Sequence, residues 1–83
     1  MKIDFDPEAD AAYLHLDDSK VMESEEVVPG VVFDFNERGY VVGIEILGVK
    51  KKGPHRLLNL KIPFPSPDDF KAFESFLMEQ AKA

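Results

Sequence analysis

Asp6, Glu8 and Asp10 fall at alternate positions, and Asp17 lies eleven residues after Asp6. That spacing mimics a calcium loop, which draws oxygen ligands from its first, third, fifth and twelfth positions. The sixth position, which such loops reserve for glycine, holds Ala11, and the flanking residues alternate like strands. A charged hairpin turn accounts for these acids better than a metal site. His15 and His55 are the only imidazoles, and no H-E-x-x-H spacing joins them into a zinc motif. The serines at 19, 24, 66 and 75 lack a G-x-S-x-G setting, and no glycine-rich phosphate loop is present. Asp34 and Glu45 interrupt apolar strand sequence, so burial would raise their pKa values and suit them to acid–base or glycosidase-type chemistry. A sheet of this size offers no deep pocket to house that chemistry. No residue is assigned a catalytic, metal-binding or cofactor-binding role, and no cofactor is expected.

The chain that must position these groups is short. Its 83 residues make one domain, 1–83, burying roughly 60–65% of the surface that the unfolded chain exposes. There is no cysteine, so neither a disulfide nor a thiolate metal site can reinforce it. Sixteen acidic against ten basic residues give a net charge of −6, which disfavours nucleic acid as a partner. The run Lys50–Lys52 with His55 and Arg56 has no interleaved aromatics and reads as a solvated loop. No stretch approaches the roughly 20 apolar residues of a membrane span. The amino-terminal stretch carries acids throughout and does not read as a secretion signal, so a cytoplasmic protein is expected.

Period-two alternation marks strands at Lys2–Asp6 and Ala12–Asp17, joined as a hairpin across the Pro7 turn. Glu23, Glu25 and Glu26 lie in a segment with no clear inward face, which reads as a loop leading to a charged edge strand. The strongest strands are Val31–Phe35 and Tyr40–Val49, around a four-residue loop ending at Gly39. That loop length sets Phe35 opposite Tyr40 and gathers Val31, Phe33, Phe35, Tyr40, Val42, Ile44 and Ile46 on one face. The other face then carries Val32, Val41, Leu47 and Val49, too apolar to be plainly solvated. Residues 50–66 form a basic, proline-rich connection, with a short strand expected at Leu57–Ile62. Ser66 is placed to cap a helix over 67–82, with Pro67 at its first position and Asp68 and Asp69 at its positive end. Phe70, Phe73, Phe76, Leu77 and Ala81 form one apolar stripe along it, which packs on the sheet or swaps onto a partner.

Three segments have a familiar order and spacing: Asp6-Pro7-Glu8-Ala9-Asp10-Ala11-Ala12-Tyr13-Leu14, then Pro29-Gly30-Val31-Val32-Phe33-Asp34, then Val42-Gly43-Ile44-Glu45-Ile46-Leu47. Over roughly residues 1–49 the chain resembles a prokaryotic family of small proteins catalogued as domain of unknown function 2283. The resemblance implies a small β-rich fold and brings no catalytic residues with it. Some relatives are encoded beside small toxin-like proteins, which implies a partner-binding role.

The expected fold is α+β: an antiparallel sheet of four or five strands with one C-terminal amphipathic helix packed on one face. The expected function is that of a non-catalytic acidic interaction module, antitoxin-like, which binds a basic protein partner and forms a homodimer. Its contact residues would be Val32, Val41, Leu47, Val49, Glu23, Glu25 and Glu26. The alternative is a carboxylate-based or metal-assisted hydrolase using Asp6, Asp10, Asp34 or Glu45.

Overall fold

The computed structural model describes residues 1–82. Alternating sequence gives five strands: β1 (Lys2–Asp6), β2 (Ala11–His15), β3 (Glu23–Val28), β4 (Val31–Phe35) and β5 (Val41–Leu47). They form one antiparallel sheet in the order β1-β2-β5-β4-β3. After the β1–β2 hairpin the chain crosses to the far edge and makes β3. It then returns through β4, and β5 closes the gap beside β2. The crossing is tied down where the Leu16 and Asp17 amides donate to the Val42 carbonyl, at 2.9 and 3.1 Å.

One face of this sheet is the core. Ala12, Leu14, Val31, Phe33, Ile44 and Ile46 point into it and are covered by Val49, Leu57, Phe73 and Leu77. Full burial of each large side chain contributes about 1.5–3 kcal/mol, so this one layer supplies most of the apolar stabilisation. The covering residues come from three helices: α1 (Val49–Lys52), α2 (Pro54–Leu58) and α3 (Pro67–Lys82). The Ser66 hydroxyl accepts the Asp69 amide at 3.2 Å and so caps α3 as its sequence predicts. The stripe of α3 packs on the chain's own sheet, with Phe76 edge-on to Phe5 of β1 at 5.4 Å between ring centroids. No helix among the described residues is long and apolar enough to cross a membrane.

The β4–β5 hairpin departs from its expected register. Phe35 pairs with Val41, Phe33 with Ile44 and Val31 with Ile46. Tyr40, expected opposite Phe35, lies in the loop and is 65% exposed. The cause is Asn36, whose side-chain oxygen accepts the Arg38 and Tyr40 amides and lengthens the loop by one residue. A bulge follows, with Val42 as the extra residue opposite the Asp34–Phe35 step. The bulge restores the parity that a longer loop would break, so Phe33 and Ile44 still share the inner face.

Two further expectations are corrected downstream. β5 stops at Leu47 because Gly48, at φ 79°, turns the chain into α1. Val49 therefore opens a helix and is buried in the core, where a strand residue had been expected on the outer face. Leu57 to Ile62 is not a strand: Gly53-Pro54 starts α2, with proline at the first helical turn, and Leu57 plugs into the core.

Candidate functional site

The helix layer covers only one side of the sheet. Cross-strand partners share a face, so the pairings place two polar rows across the other side. The first runs Asp4, Tyr13, Glu45, Val32, Glu26 through all five strands, and the second runs Lys2, His15, Gly43, Asp34, Ser24. Gly43 sits at the middle of the second row, and any side chain there would collide with the Tyr13 ring and hydroxyl. Tyr13 uses the vacancy. It leans diagonally from the first row across the β5 backbone, and its hydroxyl donates to Asp34 Oδ2 on β4 at 2.5 Å. Ser24 on β3 donates to the other oxygen, Oδ1, at 2.6 Å. Asp34 thus ties β2, β4 and β3 together over β5.

The electrostatics follow from this geometry. Burial of the ring, the hydrogen bond to Asp34, and the charges of Asp34 and Glu45 push the Tyr13 pKa from 10.0 up to about 12. The phenol keeps its proton and acts as a donor committed to Asp34. Toward the β1 edge, His15 Nε2 meets Asp4 Oδ2 at 2.8 Å, and its ring lies edge-on to Tyr13 at 4.6 Å between centroids. The network serves as a fastener across an uncovered sheet face. The strongly shifted group on this face is Tyr13, which the reading of Asp34 and Glu45 as the perturbed pair overlooked.

Two acids of the first hairpin, Asp6 and Asp10, are spent on the backbone. Asp6 Oδ1 accepts the Glu8 and Ala9 amides at 3.0 and 3.3 Å, making an Asx turn. Asp10 holds φ 53°, and its carbonyl accepts the Gly48 and Val49 amides. Its carboxylate accepts the backbone amide of Lys50 at 2.9 and 3.1 Å and that of Lys51 at 3.3 Å, capping α1. Asp17 accepts the hydroxyl and amide of Ser19, which hold its pKa below the usual carboxylate range. Among the described residues, no three His, Asp or Glu side chains gather as a metal-binding group. His55 sits in α2, outside the polar rows.

The expected contact residues divide. Val32 and Leu47 lie on the uncovered face. Val41 turns inward and packs against the core, while Val49 is part of it, so neither is offered to a partner. The reason is the bulge at Val42, which reverses the facing of Val41, and the turn at Gly48, which redirects Val49. Glu23, Glu25 and Glu26 stand on β3, whose six residues are all exposed. Glu26 also accepts the Gly30 amide at 3.1 Å, bracing the β3–β4 turn.

Tyr13, Asp34, Gly43 and Glu45 all fall inside the three segments that carry the family resemblance. That coincidence was the available clue to the crossing, since spacing alone does not show which strands become neighbours. No curated protein and no solved structure matches the chain. The family model described as a protein of unknown function, DUF2283, matches residues 2–50, which span the whole sheet and stop as α1 begins, and the chain belongs to that family.

Proposed function

We propose that the protein is a non-catalytic acidic interaction module, antitoxin-like in that it engages and neutralises a basic protein partner in the cytoplasm. The observation that carries this reading is β3. It presents Glu23, Glu25 and Glu26 with every residue exposed, and it contributes no side chain to the core. A strand that does so little for its own fold is free to serve a partner. The chain's net charge of −6 favours a basic one and speeds encounter with it. Val32 and Leu47 on the uncovered face supply a second contact surface, on which two copies associate.

The test is a titration of the labelled chain against a panel of small basic proteins, at low and physiological salt. A complex with a micromolar or tighter dissociation constant that weakens as salt rises supports the reading. No complex at micromolar concentrations with any of them sinks it.

A further inference from the structure

We infer that β3 is a docking edge for an extended, basic strand of a protein partner, which extends the sheet beyond its fifth strand. This rests on the reading of the chain as an acidic interaction module and names the form its partner takes.

β3 is bonded to β4 on one side only, so the other side of its backbone ends the sheet. An edge of this kind takes an added strand through main-chain hydrogen bonds, with side chains supplying the selectivity. The two edges of the sheet are not alike. At the β1 edge, Ile3 and Phe5 pack against the core and Phe76 of α3 closes over Phe5. At the β3 edge no residue from Glu23 to Val28 touches the core, and the strand is held by its ladder, the Ser24–Asp34 bond and the Glu26–Gly30 bond.

Side-chain pattern then selects the occupant. From Val21 to Val28 all residues are exposed, and they read apolar, apolar, Glu, Ser, Glu, Glu, apolar, apolar. Glu23 and Glu25 pair with Phe35 and Phe33 and so face the helix side, while Glu26 pairs with Val32 and faces the open side. An incoming strand therefore meets carboxylates on both of its faces at the centre and apolar surface at both ends. Lys or Arg at the central positions with Val, Ile or Leu at the ends complements it. The near-palindromic order accepts either strand direction. A second copy is a poor occupant, because opposed residues share a face and antiparallel pairing of β3 with itself near its centre sets Glu25 opposite Glu25 or Glu23 opposite Glu25, and like charges placed directly opposite destabilise a sheet.

The experiment uses the full chain and an eight-residue peptide with Lys at alternating central positions and Val-Ile at each end. Two further versions of that peptide carry backbone N-methyl groups on one or the other alternate set of residues. Binding is read by fluorescence anisotropy, and its location by amide hydrogen exchange. The expected result is binding of the parent peptide, protection of amides within Glu23–Val28, and loss of binding for one N-methylated set but not the other. Glu25→Lys, at a fully exposed edge, weakens binding at least tenfold without lowering the melting temperature. Equal binding of both N-methylated peptides overturns strand addition yet leaves the acidic-module reading standing. Strand addition is overturned in the same way if the peptide does not bind while a basic protein does. If neither binds, both readings fall together. Concentration-dependent dimerisation with the same amides protected overturns the proposal in favour of a second copy of this chain.

Discussion

The Tyr13–Asp34 bond makes a prediction whose size and sign both come from the geometry. In the unfolded chain Tyr13 titrates at the ordinary value of 10.0; folded, it is held at about 12. The folded state keeps the phenolic proton that the unfolded state gives up. The stability linked to that proton, set first by burial of the phenol and then by its bond to Asp34, is therefore fully present below about pH 10 and is lost as pH rises toward about 12. A rise of this size corresponds to about 2.7 kcal/mol if no solvent reached the group. Tyr13 is only half-buried, and screening by water reduces the figure to the order of 1 kcal/mol. That falls below the roughly 1.5–3 kcal/mol of a hydrogen bond to a charged group and within the roughly 0.5–1.5 kcal/mol of an ordinary one, in keeping with a half-exposed bond.

Tyr40 is the only other tyrosine, so Tyr40→Phe leaves Tyr13 as the sole phenol. In that background, tyrosinate absorbance should show a midpoint near 12 for the folded protein and near 10 in denaturant. Urea melts of Tyr40→Phe and of Tyr13→Phe/Tyr40→Phe should differ by about 1 kcal/mol at neutral pH, with Tyr13→Phe the less stable. The difference should shrink steadily above about pH 10. A folded-state midpoint at the ordinary tyrosine value, or a stability gap that does not change with pH, would refute the crossing as the organising contact of this face.

Two further substitutions probe the supports of that arrangement. Gly43→Ala places a methyl group against the Tyr13 ring and hydroxyl and should cost about 1–3 kcal/mol. In a Tyr13→Ala background the same change should cost far less, and equal costs in the two backgrounds by urea melts would separate Gly43 from the crossing. Asp10→Ala removes the carboxylate that caps α1 from a residue at φ 53°, and should lower stability by about 1–2 kcal/mol. Asp10→Asn keeps a side-chain oxygen and tolerates the left-handed backbone, so its thermal melt should recover most of that loss.

Much of the fold was legible because burial writes itself into periodicity. Ile3 and Phe5, Leu14, and Ile44 and Ile46 alternate with more polar residues, Val31 and Phe33 keep the same period about Val32, and all of them reach the inner face. The Ser66-Pro67 start of α3 and its phenylalanine stripe follow from local rules of capping and helical spacing. What the sequence concealed was set by single side chains bonding to distant or unexpected backbone. Asn36 lengthened a loop, a bulge at Val42 absorbed the error, and Asp10 capped a helix forty residues away. Each is a local competition between a polar side chain and the regular ladder, and hydrophobic pattern carries no record of it. The same holds for Val41 and Val49, whose apolar character was read correctly while their facing was not.

The candidate site was hidden for a different reason. Tyr13, Asp34 and Gly43 acquire meaning only once β5 is known to lie between β2 and β4, which strand pattern cannot supply. With that order in place, their roles depend on one another. Gly43 leaves room for the ring, the ring reaches Asp34, and Asp34 holds Ser24 on the edge strand. This chain of contacts fastens β3, which the core does not hold, to strands that it does. The sheet can therefore present an edge that is exposed along its whole length without that edge peeling away. A strand laddered to β4 on one side and unpaired on the other leaves the backbone groups of its outer side for an added strand. The proposed docking of a basic strand therefore depends on the Tyr13 crossing: Tyr13→Phe should weaken binding of the Lys-bearing peptide at β3, and unchanged affinity by fluorescence anisotropy would separate the two.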